Sequence, residues 1–162
     1  IADMPKEVSG NIGVLMIDTM GIFWTMKYPN FRDEALLNKW KLKPIGSDKI
    51  DVFVPFGSFE KMKDQGIPVD KPFSLTTADL DGFDWCVTLG IEQTTELGVL
   101  IEKTIAQLKE KEELFSINDI IEAFKQEKDM PKVIIDSAIN RFTAVRSWGL
   151  FSKKGTTIEE LV

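Results

Sequence analysis

The chain has 162 residues, with 20 Lys+Arg against 26 Asp+Glu and a formal net charge of −6. That length makes one domain, or one domain with a small appendage, and 43% hydrophobic with 28% charged residues excludes the disordered and membrane-spanning classes. Histidine is absent and Cys86 is the single cysteine, which excludes His-based triads, imidazole acid–base chemistry, an internal disulfide and a cysteine-built zinc site. The acidic balance argues against a stand-alone DNA binder, and the cysteine usage points to a reducing, cytoplasmic setting.

The first residue is Ile and the last two are Leu161-Val162, with no signal-peptide layout at the start. These ends lead us to expect a piece of a longer protein. In chain order, Ile12-Gly-Val-Leu-Met-Ile17 is a continuous apolar run of the kind found in a strand covered on both faces. A buried helix gives the same run, but the length and the flanking Gly10-Asn11 and Asp18-Thr19 favour a strand. Arg32 to Trp40 reads as a short helix, with Ala35, Leu36, Leu37 and Trp40 on its apolar side. Ile50 to Val54, closed by Pro55, is a second strand, so the order strand–helix–strand argues for a parallel βαβ crossover.

Residues 55–75 carry Pro55, Gly57, Gly66, Pro68 and Pro72 and read as a long loop with one helical turn around Phe59 to Lys63. Four helices follow. The first begins at Thr77 with Leu80, Phe83 and Val87 inward, and the second runs from about Thr94 to Lys109 on a stripe of Leu97, Leu100, Ile101, Ile105 and Leu108. The third starts at Ser116, with Asp119 placed for a capping box and Ile117, Ile120, Ile121 and Phe124 inward. The fourth opens at Pro131 and ends at Gly149, burying Ile135, Ala138, Ile139, Phe142 and Val145. A further helix begins at Thr156. Two parallel strands are too few for an open sheet, so neighbours from outside this sequence are expected to cover them. The helical part is expected to pack mainly on itself.

The sharpest chemical feature is Asp18, placed after an apolar strand and followed by Gly21, where open α/β sheets hold ligands. A plain turn-capping role is equally compatible with that position. The haloacid-dehalogenase phosphatase motif also opens with a strand and an Asp. It needs a second acid two residues later, and Met20 stands there. Neither Gly-x-x-x-x-Gly-Lys-Ser/Thr nor Gly-x-Gly-x-x-Gly occurs. Lys39-Trp-Lys-Leu-Lys43 interleaves three lysines with Trp40 and Leu42. It could touch nucleic-acid phosphates, but the blander expectation is a solvated edge with its apolar side folded inward. Arg141 and Arg146 could reach a neighbour's phosphate or simply be solvated. Trp24, Trp40, Trp85 and Trp148 read as packing anchors, and Cys86 as a small buried hydrophobe.

Gly13-Val-Leu-Met-Ile-Asp18-Thr-Met-Gly21-Ile-Phe resembles the second core strand of HerA/FtsK-type ATPases, in which an apolar strand leads into Asp-Pro-His-Gly-Glu-Tyr or a relative. Ile50 to Pro55 is similar to the family's next strand. Arg141 to Phe151 and Thr157 to Val162 are similar to the end of its helical insertion, closest to archaeal ATP-binding proteins of the HerA type. The resemblance implies an α/β fold: a fragment of a RecA-like parallel sheet with two strands, followed by an all-helical subdomain. It divides the chain into a partial core at 1–56, a linker at 57–76 and a helical insertion at 77–162. The phosphate-binding loop and its helix would precede residue 12, with 1–7 as the helix tail, and the acidic Walker-B strand would follow Val162. The intact protein would then be an ATP-dependent DNA translocase or helicase acting as a homo-oligomeric ring with ATP and Mg²⁺. This chain alone would bind no ATP and reach no membrane. Asp18 is the one catalytic-site position that transfers, near the Mg²⁺–nucleotide or organising the site, whereas Thr19, Met20 and Ile22 replace the family's Pro, His and Glu. A self-contained helical protein-interaction domain without catalytic activity is the alternative.

Overall fold

Apolar residues spaced three and four apart drive the second half of the chain into helices. In the computed structural model, which describes residues 5, 7, 10, 12–111 and 113–162, these are α3 (Gly82–Leu89), α4 (Glu96–Lys111), α5 (Ile117–Gln126) and α6 (Lys132–Ser147). Helix α3 packs on α4 and α5 packs on α6, around one core. Trp85, Phe115, Phe124 and Phe142 are fully buried there with Leu100, Ile101, Ile105 and Ile120. The Trp85 ring lies 5.1 Å from Phe142 and 4.8 Å from Phe151, and Phe124 lies 5.2 Å from Phe142, so four aromatic rings form the centre. Every buried member of this cluster falls between Trp85 and Val145, so the helical part does pack mainly on itself.

The expected stripes of the second, third and fourth helices face the core, with Leu97, Ile135 and Ile139 only partly buried, but the first does not. Helix α3 starts at Gly82 rather than Thr77 because Asp81 caps it: Asp84 N–H donates to Asp81 Oδ1 (2.8 Å) and Asp81 N–H donates to Asp84 Oδ2 (3.0 Å). Its inward stripe is Gly82, Trp85, Cys86 and Leu89, while Phe83 and Val87 face solvent. The indole carries more apolar area than any side chain on the opposite face, and it sets the rotation of the helix.

Helix α5 opens as expected. Asp119 N–H donates to Ser116 Oγ (3.3 Å) and Ser116 N–H donates to Asp119 Oδ2 (2.8 Å), and Lys153 pairs with the same carboxylate at 3.0 Å. Ser116→Ala is therefore expected to cost about 1 kcal/mol in urea unfolding, with the slope unchanged.

A carboxylate also organises the turn from α5 into α6. Glu127 Oε2 accepts from Lys103 Nζ (2.8 Å), and Glu127 Oε1 accepts from the N–H groups of Lys128 (2.9 Å) and Asp129 (2.8 Å). The Lys103 hydrogen bond, then the Asp129 N–H, pull its carboxyl down to about 2 against an opposing effect of burial, with further help from the Lys128 N–H and the Lys103 charge. A carboxyl lowered on folding contributes stability that is present above its unfolded pKa and is lost as pH falls through the folded one. Thermal midpoints should accordingly fall between about pH 4.5 and 2, and Glu127→Gln should make that fall smaller, the lowered carboxyls of Asp70 and Asp119 supplying the rest.

The first half is less regular. The described α-helices here are α1 (Glu34–Lys39) and α2 (Phe59–Asp64), with 3₁₀ turns at Phe23–Lys27 and Phe56–Ser58. The expected strand at Ile12 to Ile17 is not one: these residues belong to no sheet, with Val14 55% and Ile17 81% exposed. An apolar strand needs ladder partners and cover on both faces, and no described segment supplies them. The second expected strand shortens to β1 (Phe53–Pro55). Its parallel partner is β2 (Lys71–Phe73), within the stretch expected to be loop, in the register Phe53 to Lys71, Val54 to Pro72 and Pro55 to Phe73. The predicted crossover through residues 32–40 is thus replaced by one through α2.

A second parallel pair, β3 (Leu75–Thr76) and β4 (Phe151–Ser152), ties the two halves together. Leu75 N–H donates to Leu150 O (2.8 Å), Thr156 N–H to Ser74 O (2.8 Å), and the buried Thr77 hydroxyl to Ser152 O (3.1 Å). Beside this pair, Gly57 N–H donates to Gly149 O at 2.9 Å, the two backbones lying in direct contact. Helix α7 (Ile158–Leu161), capped by Thr157, follows β4. The fold is mixed α/β with two small parallel sheets among the described residues. No described helix is long and apolar enough to cross a membrane. The helix tail expected at 1–7 lies outside the described residues except at Pro5 and Glu7.

Candidate functional site: the turn at Asp18

The apolar run ends where Asp18 turns the chain. A carboxylate one residue past such a run can accept from the backbone N–H groups ahead of it, and both Asp18 oxygens do. Oδ1 accepts from Met20 N–H (3.2 Å) and Oδ2 from Phe23 N–H (2.6 Å), the first N–H of the 3₁₀ turn Phe23–Lys27. Gly21 sits at φ 65°, a left-handed conformation that glycine adopts without a Cβ clash. Trp24 Nε1 donates back to Gly21 O (2.8 Å), and the Trp24 and Tyr28 rings meet edge to face at 6.2 Å. Asp18, Gly21 and Trp24 therefore form one hydrogen-bonded turn.

Farther along, this turn is fastened to the β1–β2 pair. Lys27 Nζ donates to Asp70 Oδ2, which also accepts from Val52 N–H (2.6 Å), while Asp70 N–H donates to Val52 O (2.9 Å). Burial works upward on the Asp70 carboxyl. The hydrogen bonds from Lys27 and Val52, with the charges of Lys27 and Lys71, outweigh it and hold the carboxyl below its ordinary value. Sequence reading missed this tie, because nothing in the spacing of residues 27 and 70 signals that they meet. Lys71 in turn pairs with Asp51 at 2.6 Å and lies over the Phe53 ring at 5.4 Å.

The other singled-out residues do not converge on Asp18. Arg146 Nη1 donates to Asn118 Oδ1 (3.0 Å), and Arg141 Nη1 donates to Leu89 O (3.4 Å), both on the helical half. Trp85 and Cys86 are core residues, as expected, and burial pushes the Cys86 thiol up, with the Glu102 charge adding to it. Trp40 was expected to anchor packing but is 73% exposed.

The fit of an ATP–Mg²⁺ group to these residues is poor. Asp18 is the one carboxylate between residues 12 and 32, and no cluster of three or more His, Cys, Asp or Glu side chains suited to a metal occurs among the described residues. The arrangement can shape a loop after an apolar segment; it supplies no ligand shell. Compared with protein families, curated proteins and solved structures, the chain matches none of them.

Proposed function

We propose that this chain is a segment of an ATP-dependent DNA translocase of the HerA/FtsK type, working as a homo-oligomeric ring, and that it does not itself bind or hydrolyse ATP. In the larger protein, Ile12 to Ile17 is a strand of the RecA-like core and Asp18 fixes the loop that follows it. The observation that supports this reading is the unpaired, half-exposed apolar run ending in a turn held by Asp18. Its five large side chains, 46–81% exposed, forgo part of a burial worth roughly 1.5–3 kcal/mol each, a cost that sheet neighbours would recover.

Two measurements test the proposal. Titration of ATP and Mg²⁺ into the 162-residue chain in a calorimeter should give no binding isotherm, and stoichiometric binding would overturn it. The reading frame that encodes the chain should carry Gly-x-x-x-x-Gly-Lys-Ser/Thr upstream of Ile12. A helical protein-interaction domain is the second reading, favoured by the closed core between Trp85 and Val145. A start codon directly before Ile1 would select it.

A further inference from the structure

The segment after α1 departs from its expected burial. Residues 35–47 hold three lysines and no acidic residue, in a chain whose net charge is −6. Instead of folding inward, its apolar side chains face solvent: Trp40 is 73%, Leu42 56% and Ile45 76% exposed. Lys39, Lys41 and Lys43 are exposed and form no ion pair among the described residues.

Local backbone geometry holds this display in place. The end of α1 closes with Lys41 N–H donating to Asn38 O (3.0 Å) and Leu42 N–H to Leu37 O (2.9 Å), which places Lys41 at φ 57°. Glycine is the ordinary occupant of that left-handed position. A favourable helix dipole accounts for Lys39 in the last turn, but not for lysine at the left-handed site or for Lys43 beyond it.

We propose that Lys39, Lys41 and Lys43 with Trp40 form a contact site for single-stranded nucleic acid, the ammonium groups meeting phosphates while a base stacks on the indole. Charge complementarity carries the choice of partner: three lysines with no acidic residue among them, in a segment (residues 32–49) that stays net positive with its acidic neighbours Asp33, Glu34 and Asp48 included, beside an exposed Trp40 match a phosphate backbone bearing stackable bases. A membrane surface fits less well. Interfacial segments are amphipathic helices with a broad apolar face, whereas residues 40–43 are turn and coil. The proposal rests on the DNA-motor reading for its place in a larger protein, but the binding itself needs no ATP.

The test is fluorescence anisotropy of a labelled oligothymidylate of about twelve nucleotides with the 162-residue chain, from about 50 to 200 mM salt. Three phosphate contacts predict a log–log salt slope near −2, or about a 20-fold loss of affinity across that range. Lys39→Gln with Lys41→Gly and Lys43→Gln should remove the salt dependence, the glycine keeping the left-handed turn. Trp40→Ala should weaken binding by about fivefold or more, and Trp40→Phe should retain most of it. Three results would overturn the proposal: no binding at the lowest salt, binding indifferent to these substitutions, or binding to phosphatidylserine vesicles with none to the oligonucleotide. Such a failure is separate from failure of the motor reading, which depends on the encoded nucleotide motif and on ATP turnover.

Discussion

Replacing Phe142 by Ala is expected to destabilise the chain by about 3–5 kcal/mol in urea unfolding, enough to remove much of a typical domain's stability. Phe142 is fully buried and lies 5.1 Å from Trp85 and 5.2 Å from Phe124, linking the ring on α3 to the ring on α5. Truncation removes both aromatic contacts and leaves a cavity bounded by rigid rings, which collapse poorly. Val133 on the same helix is 71% exposed, and Val133→Ala should shift stability by no more than about 0.5 kcal/mol. Similar losses at the two positions would refute the core as described.

The second large effect is expected where the halves cross. Gly149 sits at φ 59°, and a Cβ there would run into Gly57 Cα; a Cβ on Gly57 would lie 2.5 Å from Gly149 Cα. Gly149→Ala combines the left-handed backbone cost, about 1–2 kcal/mol, with overpacking against main chain, about 1–3 kcal/mol. The expected loss is therefore about 2–5 kcal/mol, larger than for Gly57→Ala, which carries the clash without the left-handed cost. The double substitution should fall short of or exceed the sum of the singles, since the two sites share one contact. Strict additivity would mean that the two backbones do not touch in solution.

The helical half was legible in the sequence because its signals are local. Ser116 and Asp119 lie three residues apart, and the stripes from Leu97 to Leu108 and from Ile135 to Val145 obey helical spacing. The error at α3 has a local cause as well: Trp85-Cys86 and Phe83-Val87 offer two apolar faces, and only three-dimensional packing chooses between them. The first half was read poorly because its order comes from distant pairs. Phe53 to Lys71, Lys27 to Asp70 and Gly57 to Gly149 leave no mark on any short window. Ile12 to Ile17 has the composition of a buried strand, yet composition records what a segment needs and not what lies beside it. At the candidate site, the position of Asp18 at a turn was legible from Gly21 and the preceding run. The use of both its oxygens on Met20 and Phe23 was not.

Asn at position 18 has one acceptor oxygen where Asp has two, so the turn keeps only one of the bonds from Met20 N–H and Phe23 N–H and loses the carboxylate charge. The most direct measurement is DNA-stimulated ATP turnover by the protein encoded in the full reading frame, with Asp18→Asn beside it and ATP affinity measured in parallel. We expect turnover in the parent and a fall in the variant that exceeds any change in ATP affinity. An encoded protein with no ATP turnover would contradict the assignment.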